Sequence, residues 1–208
     1  MQAILVVNSK GGCGKTTIAT NLATAYAAGG FSVALADADT QKSSLNWGQR
    51  RAEDKTAIRI LDWTKKVSKI PKGVDRLVID APAGLSVDRF KTLLRMADAV
   101  LLPVLPSAFD KVATKAFIKR IEAVKSIRKN RKPVGVIANT VRPRSRAHNN
   151  LMAFLSDIGH PPVVQIRYRA LYPEVAESGL GVFDLTNKSS RDVQSDWTSL
   201  ITFIETLD

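Results

Sequence analysis

An apolar run from Ala3 to Asn8 gives way to Ser9-Lys10-Gly11-Gly12-Cys13-Gly14-Lys15-Thr16-Thr17. Gly11 followed by Gly14-Lys15-Thr16 has the spacing of a loop whose backbone N–H groups turn inward around phosphate oxygens. Glycines are needed there because side chains would block the approach. Such a loop opens onto a helix N-terminus, where the dipole favours negative charge. In that setting Lys15 reaches the β- and γ-phosphates of a nucleotide and the Thr16 hydroxyl ligates Mg2+. MgATP is the expected ligand, with Gly11, Gly12, Cys13, Gly14, Lys15, Thr16 and Thr17 as the binding loop. The alternative is a glycine-rich strand-to-helix turn without ligand, which would not require Lys15 and Thr16 together.

Other groups able to do chemistry stand at the ends of apolar runs. Leu77-Val78-Ile79-Asp80 ends in a carboxylate, the pattern expected of a residue that holds Mg2+ through a water. Val134 to Asn139 ends in an asparagine, whose amide can both donate to and accept from adenine; capping a turn is the alternative for Asn139. Leu35-Ala36-Asp37-Ala38-Asp39-Thr40-Gln41 supplies two more carboxylates. A carboxylate facing a triphosphate is costly unless metal and water lie between.

The runs that end in these groups, Ala3 to Asn8, Val33 to Asp37, Leu77 to Asp80, Ala99 to Val104 and Val134 to Asn139, are short and continuously apolar. That marks parallel strands covered on both faces. Helix-period segments lie between them, such as Thr17 to Ala28, Val87 to Met96 and Ala113 to Lys129. Alternation of this kind predicts an α/β fold with a doubly wound, mostly parallel sheet and helices on both faces. Ligands then sit beyond the C-terminal ends of the strands, where every group named above falls. Thr64 to Gly73 reads as a basic surface connection with at most a short helix. Arg191 to Leu207 reads as one last core-packing helix, with Val193, Trp197, Leu200, Ile201 and Ile204 on a single stripe.

The Lys-Gly-Gly-x-Gly-Lys-Thr-Thr pattern from Lys10 to Thr17 resembles the ParA/MinD family of deviant Walker P-loop ATPases. The resemblance extends to Asp37-Ala38-Asp39-Thr40-Gln41, although Thr40 stands where the family commonly has proline. It continues through Asp80-Ala81-Pro82-Ala83-Gly84, which is similar to the family's switch II, and through Ala97 to Ser107 with Asp110. It implies that Lys10 reaches across an ATP-bound homodimer to the partner's phosphates, the alternative being an exposed loop lysine. It further implies that Asp39 orients the attacking water close to the Mg2+, that Asp37 is a local strand-end or metal-shell partner, and that Asn139 meets the base. Catalysis thus falls to Lys10, Lys15 and Asp39, and the metal to Thr16, Asp39 and Asp80. Ile166 to Phe183 resembles the family's late loop near the base and the dimer contacts.

At 208 residues with 45% apolar composition the chain fits one P-loop domain, 1–208. No run approaches the roughly 18 apolar residues that span a bilayer. The N-terminal apolar run has no basic region or cleavage site, and a lone cysteine, Cys13, forms neither an internal disulfide nor a metal cluster, which fits a reducing cytoplasm. Against 19 Asp and Glu stand 31 Lys and Arg, a formal charge of +12. Either the surface is basic and merely solvated, or it meets a polyanion. Lys111, Lys115, Lys119, Arg120, Lys125, Arg128, Lys129, Arg131 and Lys132 face a single acid, Glu122. Arg142, Arg144 and Arg146 form a second cluster, with Arg167 and Arg169 after it. Doubled by dimerisation, these favour non-specific DNA, with no element for base readout. The tail acids Asp192, Asp196, Glu205 and Asp208 argue against a membrane, and no extension before the first strand offers an operator-binding domain. The resemblance therefore points to the short ParA type: a nucleoid-associated ATPase with slow, partner-stimulated hydrolysis. It would partition or position a cargo through a ParB-like or other adaptor. A metabolic enzyme of the dethiobiotin-synthetase type and a MinD-like membrane-associated ATPase are the rival readings.

Overall fold

The computed structural model describes residues 1–107, 110–124, 127 and 132–207. Seven strands form one sheet: β1 (Gln2–Val6), β2 (Val33–Asp37), β3 (Ile58–Asp62), β4 (Arg76–Asp80), β5 (Ala99–Val104), β6 (Val134–Val141) and β7 (Val164–Arg167). Their spatial order is β3-β2-β4-β1-β5-β6-β7, and every neighbouring pair is parallel. The helices are α1 (Lys15–Ala28), α2 (Ser43–Gln49), α3 (Val87–Met96), α4 (Asp110–Glu122), α5 (Arg146–Asp157), α6 (Leu171–Glu177), α7 (Lys188–Ser195) and α8 (Thr198–Glu205), with one 3-10 turn at Val182–Asp184.

Strand β1 shows why the central runs are continuously apolar. Ala3 and Leu5 enter a core with Phe90 and Leu93 of α3 and Ile118 of α4, while Ile4 and Val6 enter another with Ile18 and Leu22 of α1 and Trp197. Side chains alternate across a strand, so a strand buried on both sides has no polar position to spare. The sheet ends evenly on one edge. Asp37 is in register with both Asp80 and Asp62, and Asp80 with Val6, so three adjacent strands finish in aspartates on one rung beside the start of the glycine loop.

Four expectations need correction. Strands β3 and β7 were not assigned: they lie at the sheet's edges, and in β7 buried and exposed residues alternate. The connection Thr64 to Gly73 holds no helix, and it is not a pure surface segment, because Thr64 is buried and Val67 and Ile70 pack on the core. The last helix is two helices broken at Asp196 and Trp197, where Trp197 N–H donates to Gln194 C=O three residues back. Val193, Trp197, Leu200 and Ile204 are all buried across the break. Lastly, three of the tail acids are compensated: Asp192 and Asp196 pair with Arg167 and Arg169, and Glu205 with Arg76, while Asp208 lies outside the described residues. Repulsion of anionic lipid by the tail is correspondingly weakened. No helix among the described residues is long and apolar enough to cross a membrane.

Candidate nucleotide site

The loop between β1 and α1 is held at its entry by Asn8. Its amide nitrogen donates to the Pro103 carbonyl of β5 (2.7 Å) and its oxygen accepts from Lys10 N–H (3.2 Å). Gly12 and Gly14 have φ of 72° and 89°, a region L-residues avoid, and Gly14 is the N-cap of α1. Gly14 is required for a second reason. A Cβ there would fall 2.2 Å from Asn139 Nδ2, because that nitrogen donates to the Cys13 carbonyl at 2.8 Å. The aim of Asn139 follows from a register shift in β6 between Ala138 and Val141, with Thr140 at φ 57°. An irregularity of this kind turns a strand-end side chain toward a neighbour.

Lys15 is nearly buried, and its Nζ donates to the Lys10 carbonyl (3.1 Å), which lies across the loop. Thr16 Oγ1 and Ser44 Oγ both donate to Asp80 Oδ2 at 2.7 Å. Asp80 Oδ1 is buried without a partner. Burial pushes the Asp80 carboxyl up to about 6, against the opposing hydrogen bonds from Ser44 and Thr16. Burial also raises Asp37, whose oxygens accept from Leu45 N–H and Asp39 N–H at 2.9 Å each. Asp37 is thus a strand-end support for α2 and for the backbone of Asp39.

These groups frame a cleft of about 610 Å3 lined by the loop glycines, Lys15, Thr16, Thr17, Asp39, Thr40, Gln41, Ser43 and the segment Pro82 to Gly84. The structure brings Lys15, Thr16, Thr17 and Asp39 to one cleft, and Asp80 onto Thr16. Asp39 is half-buried, and its Oδ1 accepts from Gln41 N–H. Lys10 is exposed at the loop's outer side. Asn139 is 4% exposed and holds the loop through one Nδ2 hydrogen on the Cys13 carbonyl, and an amide nitrogen carries a second hydrogen. Ser44, Asn8 and the Gly14–Asn139 contact carried no sequence signal, since each depends on partners distant along the chain.

The donor set suits a hard cation. Two hydroxyls and a carboxylate with one uncommitted buried oxygen are oxygen ligands of the kind Mg2+ takes when phosphates complete its shell. Among the described residues no group of three or more His, Cys, Asp or Glu could hold a metal ion. The glycine conformations and the buried Lys15 likewise fit a polyphosphate.

The basic clusters divide in two. Arg142, Arg144 and Arg146 are exposed after β6, and among the described residues none is ion-paired; the Arg142 guanidinium lies 4.7 Å from the centroid of the Tyr168 ring. Arg167 and Arg169 instead pair with Asp192 and Asp196, and those bonds hold the Arg167 guanidinium charged. These surface pairs offset their charge, while both arginine side chains stay 32% exposed. In the first cluster Lys111, Lys115, Lys119, Arg120 and Lys132 are described; Lys125, Arg128, Lys129 and Arg131 lie outside the described residues.

The profile of the CbiA family, the CobQ/CobB/MinD/ParA nucleotide binding domain, matches residues 4–182. The maintenance of carboxysome distribution protein A of Halothiobacillus neapolitanus is 32% identical over 189 residues, 88% of this chain and 87% of that protein. The fold is similar to that of the septum site-determining protein MinD of Pyrococcus horikoshii complexed with Mg-ADP (TM-score 0.72, 19% identity, 99% and 96% of the two chains). It is similar also to a McdA variant of Cyanothece in complex with ATP (TM-score 0.71, 13% identity, 96% of each chain).

Proposed function

The chain belongs to the CobQ/CobB/MinD/ParA nucleotide-binding family, and from that membership we propose that it is an ATPase that dimerises on MgATP, holds non-specific DNA and positions a cargo through an adaptor protein. The observation that carries the nucleotide part is the buried Asp80 carboxylate, bridged to both Thr16 and Ser44 at the mouth of the glycine loop. Thr16, Asp80 and Ser44 would hold Mg2+ beside the phosphates, where the ion supplies positive charge and polarises phosphoryl oxygens. Lys15 binds the phosphates, and Asp39 orients the water that attacks the terminal phosphorus. That yields ADP and inorganic phosphate. Lys10, exposed on the outer side of the loop, acts across the dimer on the partner's nucleotide.

Support for the DNA partner is the exposed Arg142, Arg144 and Arg146 cluster, without an ion pair among the described residues, together with the +12 charge. Phosphate contacts of this type bind without reading sequence. The relative from Halothiobacillus neapolitanus is named for carboxysome distribution, which favours a protein assembly of that kind as cargo over a plasmid. Retention on non-specific duplex DNA, measured with ADP, ATP and a non-hydrolysable analogue, tests the proposal. Retention should require a triphosphate and persist longest with the analogue. Equal retention in all three states, or none in any, refutes it.

A further inference from the structure

Arg89 occupies the first turn of α3, five residues past Gly84, and its backbone N–H donates to the N-cap oxygen of Ser86. A cation is disfavoured at that end of a helix, where the dipole is positive. What holds it is a set of three carbonyls. Arg89 Nη2 donates to Ala38 C=O (3.0 Å), to Thr64 C=O (2.8 Å) and to Trp63 C=O. These belong to the ends of β2 and β3, so one guanidinium joins the segment after β4 to the two strand ends beside it.

The Ala38 carbonyl matters because the same peptide unit carries the Asp39 N–H. That N–H donates to Asp37 Oδ1 at 2.9 Å, and Ala38 N–H donates to the Asp80 carbonyl at 2.9 Å. The peptide before Asp39 is therefore gripped by a cation on its oxygen and a carboxylate on its nitrogen, two charge-assisted bonds stronger than neutral ones. Among the described residues the Asp39 carboxylate has no comparable side-chain anchor; its Oδ1 accepts from the Gln41 N–H within its own turn. Its place in the cleft is set through the backbone.

We infer that Arg89 is a positioning residue for hydrolysis, fixing Asp39 in the cleft through the Ala38 carbonyl from the helix that follows the Pro82 to Gly84 segment. The inference rests on the role of Asp39 given above. Loss of this grip should leave ground-state binding of nucleotide intact, since no atom of Arg89 lines the cleft. It should slow the chemical step, where displacements near 1 Å are costly.

The test compares wild type with Arg89→Met and Arg89→Lys in three measurements: MgATP affinity with a fluorescent ATP analogue, single-turnover hydrolysis, and hydrogen exchange at Ala38 to Gln41. Arg89→Met should lose on the order of 10- to 100-fold in single-turnover rate, with affinity within about twofold and faster exchange at Asp39. Arg89→Lys, whose ammonium keeps three donors and the charge, should recover most of the rate. Where Arg89→Met does not fold, Arg89→Gln serves in its place. A neutral variant with unchanged rate and unchanged exchange overturns the inference, as does affinity falling in step with rate. A wild type that binds MgATP without turning it over sinks the proposed function instead. In that case unchanged exchange at Asp39 alone sinks the tie.

Discussion

Replacing Asp80 with asparagine should make the nucleotide-free protein more stable and shrink the stabilisation that MgATP adds. The carboxyl is lifted from 3.8 to about 6 by burial. Each unit is worth about 1.36 kcal/mol, so keeping the ionised form in the fold costs about 3 kcal/mol above pH 6. The sign follows from linkage. A raised folded value means the folded state holds its proton while the unfolded chain has lost it, so this stability is present below about pH 4 and is lost as pH rises through about 6. Asp80→Asn carries no such proton. Its melting point should match that of wild type near pH 4, rise above it as pH increases, and stay about 6–12 °C higher beyond pH 6.5, taking 2–4 °C per kcal/mol for a chain of this size. That range is an upper bound, because the new amide keeps its oxygen on the Thr16 and Ser44 hydroxyls and leaves its nitrogen buried at the unpartnered Oδ1 position. Asp37, also raised by burial, is present in both proteins, and its like charge is one of the causes that raise Asp80. With MgATP at a hundred times its dissociation constant, wild type gains about 2.7 kcal/mol, and the variant, lacking a charged ligand for Mg2+, gains far less. Scanning fluorimetry from pH 4 to 8, with and without MgATP, reads both effects. A gap that does not depend on pH, or a variant that melts below wild type at pH 8 without nucleotide, refutes the reasoning.

Ser44→Ala removes one of two hydroxyls on the same oxygen; hydrogen bonds to charged groups are worth about 1.5–3 kcal/mol, so MgATP affinity should fall by about tenfold or more while Mg2+-free ATP binding is unchanged in equilibrium titrations. Arg51 and Asp184 form an ion pair with side chains 6% and 7% exposed, tying α2 to the 3-10 turn; Arg51→Met should cost about 3–5 kcal/mol in denaturant unfolding, and Asp184→Leu added to it should restore much of that. Reversing Arg142 and Arg144 to Glu should weaken DNA retention and flatten its dependence on salt without changing ATPase activity, and equal retention would shift the footprint to the Lys111 to Lys132 segment.

How much of this was legible beforehand depended on where each contact's partner lies. Strands β2 and β5 were readable to the residue because burial on both faces leaves an uninterrupted apolar run. Strand β3 carries Arg59 and lies at an edge, where alternation over five residues gives no distinct signal. The hydrophobic stripe of α7 and α8 passes unbroken through the turn at Asp196, so periodicity alone sees one helix. In the site, the glycine loop was visible because its ligand contacts come from consecutive residues. Ser44 meets Asp80 36 positions away and Arg167 meets Asp196 29 away, and such pairings leave no local pattern. Arg167 and Arg169 therefore read as free charge in the sequence and are ion-paired in the fold.

The meeting of Gly14 with Asn139 ties two stretches of chain that would otherwise drift apart in neutral variation. Any substitution that enlarges position 14, or any that swings the amide at 139 elsewhere, changes the permitted repertoire of the other. An engineer who reshapes the mouth of β6 to admit an unnatural nucleotide would thereby rewrite the grip on its phosphates. The glycine loop and the end of β6 are inherited as one unit.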